Sequence, residues 1–116
     1  MTNLLKDDKN NSIHIYLLNV TFFFSKIFVT KYYSQAQLKV FVVKYENQAD
    51  LKVYKVKYEN QVTTNEGLWF FEKYENLATK YICFVNYENQ SDLKIYFVKY
   101  QNQAGWKNNS KKQLLY

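Results

Sequence analysis

A single phrase of thirteen residues, repeated along most of the chain, limits what this sequence can fold into more than any other feature. Lys39-Val40-Phe41-Val42-Val43-Lys44-Tyr45-Glu46-Asn47-Gln48-Ala49-Asp50-Leu51 runs directly into Lys52-Val53-Tyr54-Lys55-Val56-Lys57-Tyr58-Glu59-Asn60-Gln61. The phrase returns at Ile82–Leu93 and at Lys94–Ala104, and a weaker copy spans Leu68–Thr79. Lys26–Gln37 matches Lys39–Asp50 at seven of twelve positions and reads as a first copy. The anchor tyrosines fall at 32, 45, 58, 74, 87 and 100, so every step is 13 except one of 16, where Thr63–Gly67 lengthen a turn. Self-similarity at a fixed short period means that one strand-and-turn unit is used again and again, because no single copy can bury its apolar face alone.

Within a unit the residue types are those of a β-strand. Lys39–Tyr45 is β-branched, aromatic or lysine, with no helix cap and no 3.6-residue period. The alternation gives one face Phe41, Val43 and Tyr45, expected to be buried along its whole length. The other face starts with Val40 and Val42, or Ile95 and Phe97, and ends in lysine, so burial is expected only over its first half. Glu-Asn-Gln-Ala-Asp then turns the chain, its short polar side chains bonding locally where the ladder stops. A parallel coil with one strand per turn would stack Glu46, Glu59, Glu75 and Glu88 in one column and Lys44, Lys57 and Lys99 in another. Like charges facing each other across strands are destabilising. The expectation is therefore an all-β single domain of about six 13-residue strand-turn repeats, paired antiparallel or interleaved.

The tandem LKVYKVKYENQADLKVY phrasing, with the closing Gln101-Asn102-Gln103-Ala104-Gly105-Trp106-Lys107, resembles the septoil-knot domains, small bacterial β proteins. The resemblance covers about residues 26 to 116. It implies a backbone tied in a seven-crossing torus knot, a topology that connection rules normally exclude. It implies no activity.

Residues 1–12 are polar and read as a disordered N-terminus, followed by a repeat domain over 13–116. Residues 13–36 can alternatively be read as a signal peptide, since Ile13–Val29 is largely apolar and Ser34-Gln35-Ala36 can be read as a small-residue cleavage site. A first repeat is the favoured reading, because a cleaved leader has no reason to carry the unit. His14, Asn19 and Lys26 break the apolar run short of a membrane span. A cytoplasmic location is slightly favoured, with secretion as the alternative.

Chemistry is sparse. One cysteine, Cys83, cannot form an intramolecular disulfide, and it takes a slot held elsewhere by Phe41, Tyr54 and Tyr96, as a buried structural thiol would. One histidine builds neither a metal site nor a dyad. No nucleophile stands at the spacing of a base, so no catalytic, cofactor-binding or metal-binding residues are assigned, and the chain is read as a non-enzyme. The net charge of +6 comes entirely from lysine. Arginine, whose planar fork suits phosphate and guanine, is absent. Nucleic acid or an anionic polymer is thus the alternative partner class, and self-association of a β-repeat protein is a third. The leading class is a structural or interaction module presenting a rigid aromatic and polar β surface to a protein partner. The one place where the repeat is broken marks a candidate binding patch: Glu72, where other copies have valine, with Trp69, Thr63, Thr64 and Asn65.

Overall fold

The computed structural model describes residues 25–116; the N-terminal tail and the first half of the alternative leader segment, residues 13–24, lie outside the described residues. Seven strands are present: β1 (Lys26–Val29), β2 (Leu38–Val42), β3 (Leu51–Lys55), β4 (Leu68–Phe71), β5 (Lys80–Phe84), β6 (Leu93–Phe97) and β7 (Gly105–Trp106). A single 3-10 turn of three residues follows each of the first six, beginning directly after the anchor tyrosine.

The order across the sheet is β4-β1-β5-β2-β6-β3, and β3 pairs back with β4, which closes a six-stranded barrel. All six of these pairings are parallel; only β7, which pairs with Leu51 and Lys52 of β3 ahead of the stretch that meets β4, is antiparallel. The antiparallel alternative is therefore corrected, while the interleaving stands: strands of the first three units alternate around the ring with those of the last three.

Register explains how parallel strands avoid the charge columns. Each strand slides by two residues against its neighbour, a shear of 12 around six strands. The lysine at the first or second position of β1, β2, β3 and β6 consequently faces an aromatic or a thiol, not another lysine: Lys94 lies opposite Phe41, Lys52 opposite Tyr96, Lys26 opposite Phe70 and Lys39 opposite Cys83. The opening lysines also meet turn carboxylates, Lys52 with Glu46 at 3.6 Å, Lys94 with Glu88 at 3.5 Å and Lys26 with Glu59 at 3.0 Å.

The shear also sets equivalent residues of all six units at one height. Ile27, Val40, Val53, Trp69, Ile82 and Ile95 form a central layer that is fully buried. Burying aliphatic side chains of this size contributes about 1.5–3 kcal/mol each. Below this layer lie Leu38, Leu51 and Leu93, and the C-terminal 3-10 segment (Asn109–Leu115) brings Leu114 and Leu115 against the core with Trp106. The barrel interior is thus the face whose apolar character lasts for half a unit. The opposite face, expected to be buried along its whole length, is corrected: Phe41 is half-buried and Val43 buried, but Tyr45 is exposed. The cause is local. The strand ends at Val42, so the tyrosine has left the ladder and stands at the entry of the 3-10 turn with extended backbone.

Ring order gives the long turn its purpose. Each unit carries the chain two places around the barrel, so three units complete one lap. The turn after β3 reaches the start of β1, as the Lys26–Glu59 ion pair shows, and one more ordinary step would drive the chain into β1. Thr63–Gly67 instead lead it back one place, to the space between β3 and β1, where β4 begins the second lap. Gly67 makes this return possible. Its φ is +90°, and a Cβ there would stand 2.3 Å from the Lys52 carbonyl oxygen.

Candidate interaction surface

The six anchor tyrosines are the most regular feature of the exterior. Tyr32, Tyr45, Tyr58, Tyr74, Tyr87 and Tyr100 are all exposed, from 54% at Tyr32 to 66% at Tyr87. Each stands at the entry of an identical turn, and the common shear carries them around the barrel as a girdle. The backbone beneath is fixed, because each turn closes with an N–H to C=O bond across the 3-10 segment, such as Ala49 to Glu46 at 3.1 Å. In two units a glutamine doubles the closure: the Gln61 side-chain oxygen accepts from the N–H groups of Lys57 and Tyr58, and that of Gln103 from Tyr100 N–H. The lysine before the tyrosine lies over its ring in three units, 5.5 Å from the Tyr32 centroid, 5.6 Å from Tyr45 and 6.0 Å from Tyr58. Rigid amphipathic rings of this kind offer contact area at little cost in side-chain entropy.

The residues of the broken repeat go to different places. Trp69 belongs to the central core layer and is fully buried. Asn65 is buried under the C-terminal segment: its carbonyl accepts the Trp106 indole N–H at 2.6 Å, and its amide donates to Lys112 O at 3.4 Å. Thr63 and Thr64 are exposed and line a shallow groove with Leu68 and the last turn. Glu72 is half-buried against β1, its N–H bonded to Ile27 O. The structure therefore brings Thr63 and Thr64 together at the surface, turns Asn65 and Trp69 inward, and leaves Glu72 at the far end of β4. The neighbouring Lys112–Glu66 ion pair fastens the C-terminal segment to the long turn, and the hydrogen bond to Glu66 raises the Lys112 ammonium above its ordinary pKa despite some desolvation.

Cys83 is buried and unbridged, with its Sγ 3.6 Å from Phe84 O. Among the described residues no cluster of three or more histidine, cysteine or acidic side chains converges on a metal position, and no helix is long and apolar enough to cross a membrane.

Fold and surface together define a class: a closed barrel of interleaved parallel strand-turn repeats, displaying one tyrosine per unit. The 7(1) septoil knot domain matches residues 24–107, and the chain belongs to that family. No curated protein and no solved structure matches it.

Proposed function

We propose that this domain is a non-enzymatic interaction module whose barrel holds the tyrosine girdle in fixed positions for a protein partner. The observation that carries the reading is that all six anchor tyrosines are exposed on otherwise rigid turns. Tyrosine is among the residues that dominate binding energy at protein interfaces. Two observations favour this over the alternatives. Three girdle lysines already lie against tyrosine rings and three strand-opening lysines pair with glutamates, which leaves fewer free cations for an anionic polymer. Closure of the barrel removes the open edges through which repeated strands self-assemble. The test is capture of partners by the purified domain compared with a Tyr45→Ser, Tyr58→Ser, Tyr87→Ser, Tyr100→Ser variant. A protein retained at high salt by the first and lost by the second, with the β spectrum unchanged, is the expected result. Equal capture by both overturns the reading.

We also infer that the backbone is knotted, as the family's description states. The interleaving of two laps in one closed ring supports this, since the second lap occupies the gaps of the first. Deleting Lys39–Leu51 joins Leu38 to Lys52 in phase. A simple array loses one strand and folds, because each repeat touches only its neighbours. A knotted barrel loses its closure, so an aggregated or unfolded chain is expected, and a soluble, cooperatively unfolding variant counts against the knot.

A further inference from the structure

We propose that the groove between β1 and β5 binds a small planar aromatic molecule bearing a hydroxyl or N–H group. The repeat itself describes the slot. On the outer face of every strand, one position lies between the opening residue of one neighbouring strand and the first residue beyond the other. Phe28, Phe41, Tyr54, Phe70 and Tyr96 fill that position with an aromatic ring; only in β5 is it Cys83.

Two further departures meet at the same slot. The residue beside the ring is valine for four strands: Val85 follows Phe41's neighbour pairing through its N–H bond to Val40 O, as do Val98 for Tyr54, Val43 for Tyr96 and Val56 for Phe70. Beside Cys83 it is Thr30, whose N–H bonds Ile82 O at 2.8 Å. In the turn that follows, Tyr33 stands where Glu46, Glu59, Glu75 and Glu88 stand in other units. A ring has been removed, a polar group added, and a second aromatic supplied, all at one place.

The result is an open cavity of about 630 Å³, with Phe28, Phe84 and Cys83 in its lining, Tyr32 and Tyr33 as aromatic walls, and Gln35 and Glu75 among its polar residues. The Thr30 hydroxyl is already ordered, accepting from Tyr32 N–H and donating to the Gln35 side-chain oxygen, both at 3.2 Å. Phe28 is itself held edge-on to Tyr81, with centroids 5.8 Å apart. An incoming ring takes the place that the unit's own ring holds in the other five strands. Its donor reaches the Glu75 carboxylate or the Gln35 carbonyl, acceptors that suit a phenol or an indole better than a plain hydrocarbon.

The probes are p-cresol and indole, titrated into the folded domain and followed by backbone amide NMR. Saturable shifts confined to Thr30, Tyr33, Cys83, Phe84 and their neighbours are expected, with slower thiol labelling of Cys83 at saturation. Cys83→Phe restores the repeat's own ring and should weaken both probes by about tenfold or more, roughly 1.4 kcal/mol. Where Cys83→Phe does not fold, the Thr30→Val, Tyr33→Glu double variant replaces it and should show the same loss. Neither probe shifting those amides, or unchanged affinity in a folded variant, overturns the proposal.

Discussion

Asp50 holds Lys94 from both sides: its N–H donates to the Lys94 carbonyl at 2.8 Å, and its carboxylate accepts the Lys94 N–H at 2.9 Å. The same two-bond clamp joins Asp92 to Lys39, Thr79 to Lys26 and Gln37 to Tyr81. Each clamp links the last residue of a turn in one lap to the first or second residue of a strand in the other lap. The aspartate that closes the Glu-Asn-Gln-Ala-Asp phrase is therefore a cross-lap fastener as well as a turn residue.

Asp50 is the most loaded of these. It is buried, its side chain also meets Asn108 at 3.3 Å and Lys111 at 3.7 Å, and its carbonyl accepts from Lys107 and Asn108. Asp50→Ala should cost about 2–3 kcal/mol, the range for losing charge-assisted hydrogen bonds that leave a donor unpaired. Asp92→Ala, at an exposed position, should cost about half as much. Urea unfolding of the two variants measures the difference, and an equal loss would refute the hub role of Asp50.

Gly67 and Gly105 offer a paired test of the return path. Both have positive φ, +90° and +151°, but a Cβ at Gly105 meets nothing within 4 Å, whereas one at Gly67 collides with the Lys52 carbonyl. Gly105→Ala should lose about 1–2 kcal/mol from backbone strain alone. Gly67→Ala should lose clearly more, with a lower thermal midpoint and weaker binding of the C-terminal segment seen by limited proteolysis.

The nucleic-acid alternative carries its own signature. Binding through lysine and phosphate should fall linearly in a log–log salt titration, without sequence preference. With no arginine and with lysines engaged by tyrosines and glutamates, single-stranded DNA and RNA are expected to bind negligibly at 150 mM salt, or about that value, where screening is within about 8 Å. Fluorescence anisotropy with labelled oligonucleotides reads this directly, and tight, salt-sensitive binding would transfer the leading role to the lysines.

Much of this fold was legible because the unit is short and repeated. Strand positions, turn positions and the exceptional sixteen-residue step all followed from the spacing of the tyrosines. Pairing direction did not, because the charge argument assumed that equivalent residues face each other. The two-residue slide sets Lys94 against Phe41 and removes the repulsion that disfavoured parallel strands. The exposure of Tyr45 was hidden for a related reason: alternation predicts a face only while the strand lasts, and this strand stops three residues earlier. Trp69 and Glu72 drew attention as irregularities, yet the irregularity at Trp69 is the larger residue that one place in the core layer accommodates. The groove at Cys83 left a fainter trace, visible only when Thr30, Tyr33 and Cys83 are compared with their counterparts in other units and then found side by side.

The long turn supplies the most discriminating prediction. Deleting Thr63, Thr64 and Asn65 restores the thirteen-residue period between Tyr58 and Tyr74, so judged by the repeat alone the variant is more regular than the natural chain. In a simple array such a change is harmless or mildly stabilising, since shorter loops cost slightly less to close. In the barrel it is ruinous. The chain leaving β3 arrives at β1 and has no length to come back, so β4 cannot enter between them, and the two laps cannot interleave. The Asn65 carbonyl that receives Trp106 is lost as well, and with it a fastening of the C-terminal segment. Replacing the three residues by Gly-Ser-Gly keeps the length and the backbone carbonyl that receives Trp106, and removes the Asn65 side-chain amide that donates to Lys112 O. The length-preserving variant should fold with a loss of about 1–3 kcal/mol, in line with a missing buried hydrogen-bond partner. The deletion should yield no cooperative unfolding transition at all. Circular dichroism and urea titration of the two variants decide the matter, and a deletion variant as stable as the length-preserving one would show that the long turn does not serve to interleave the laps.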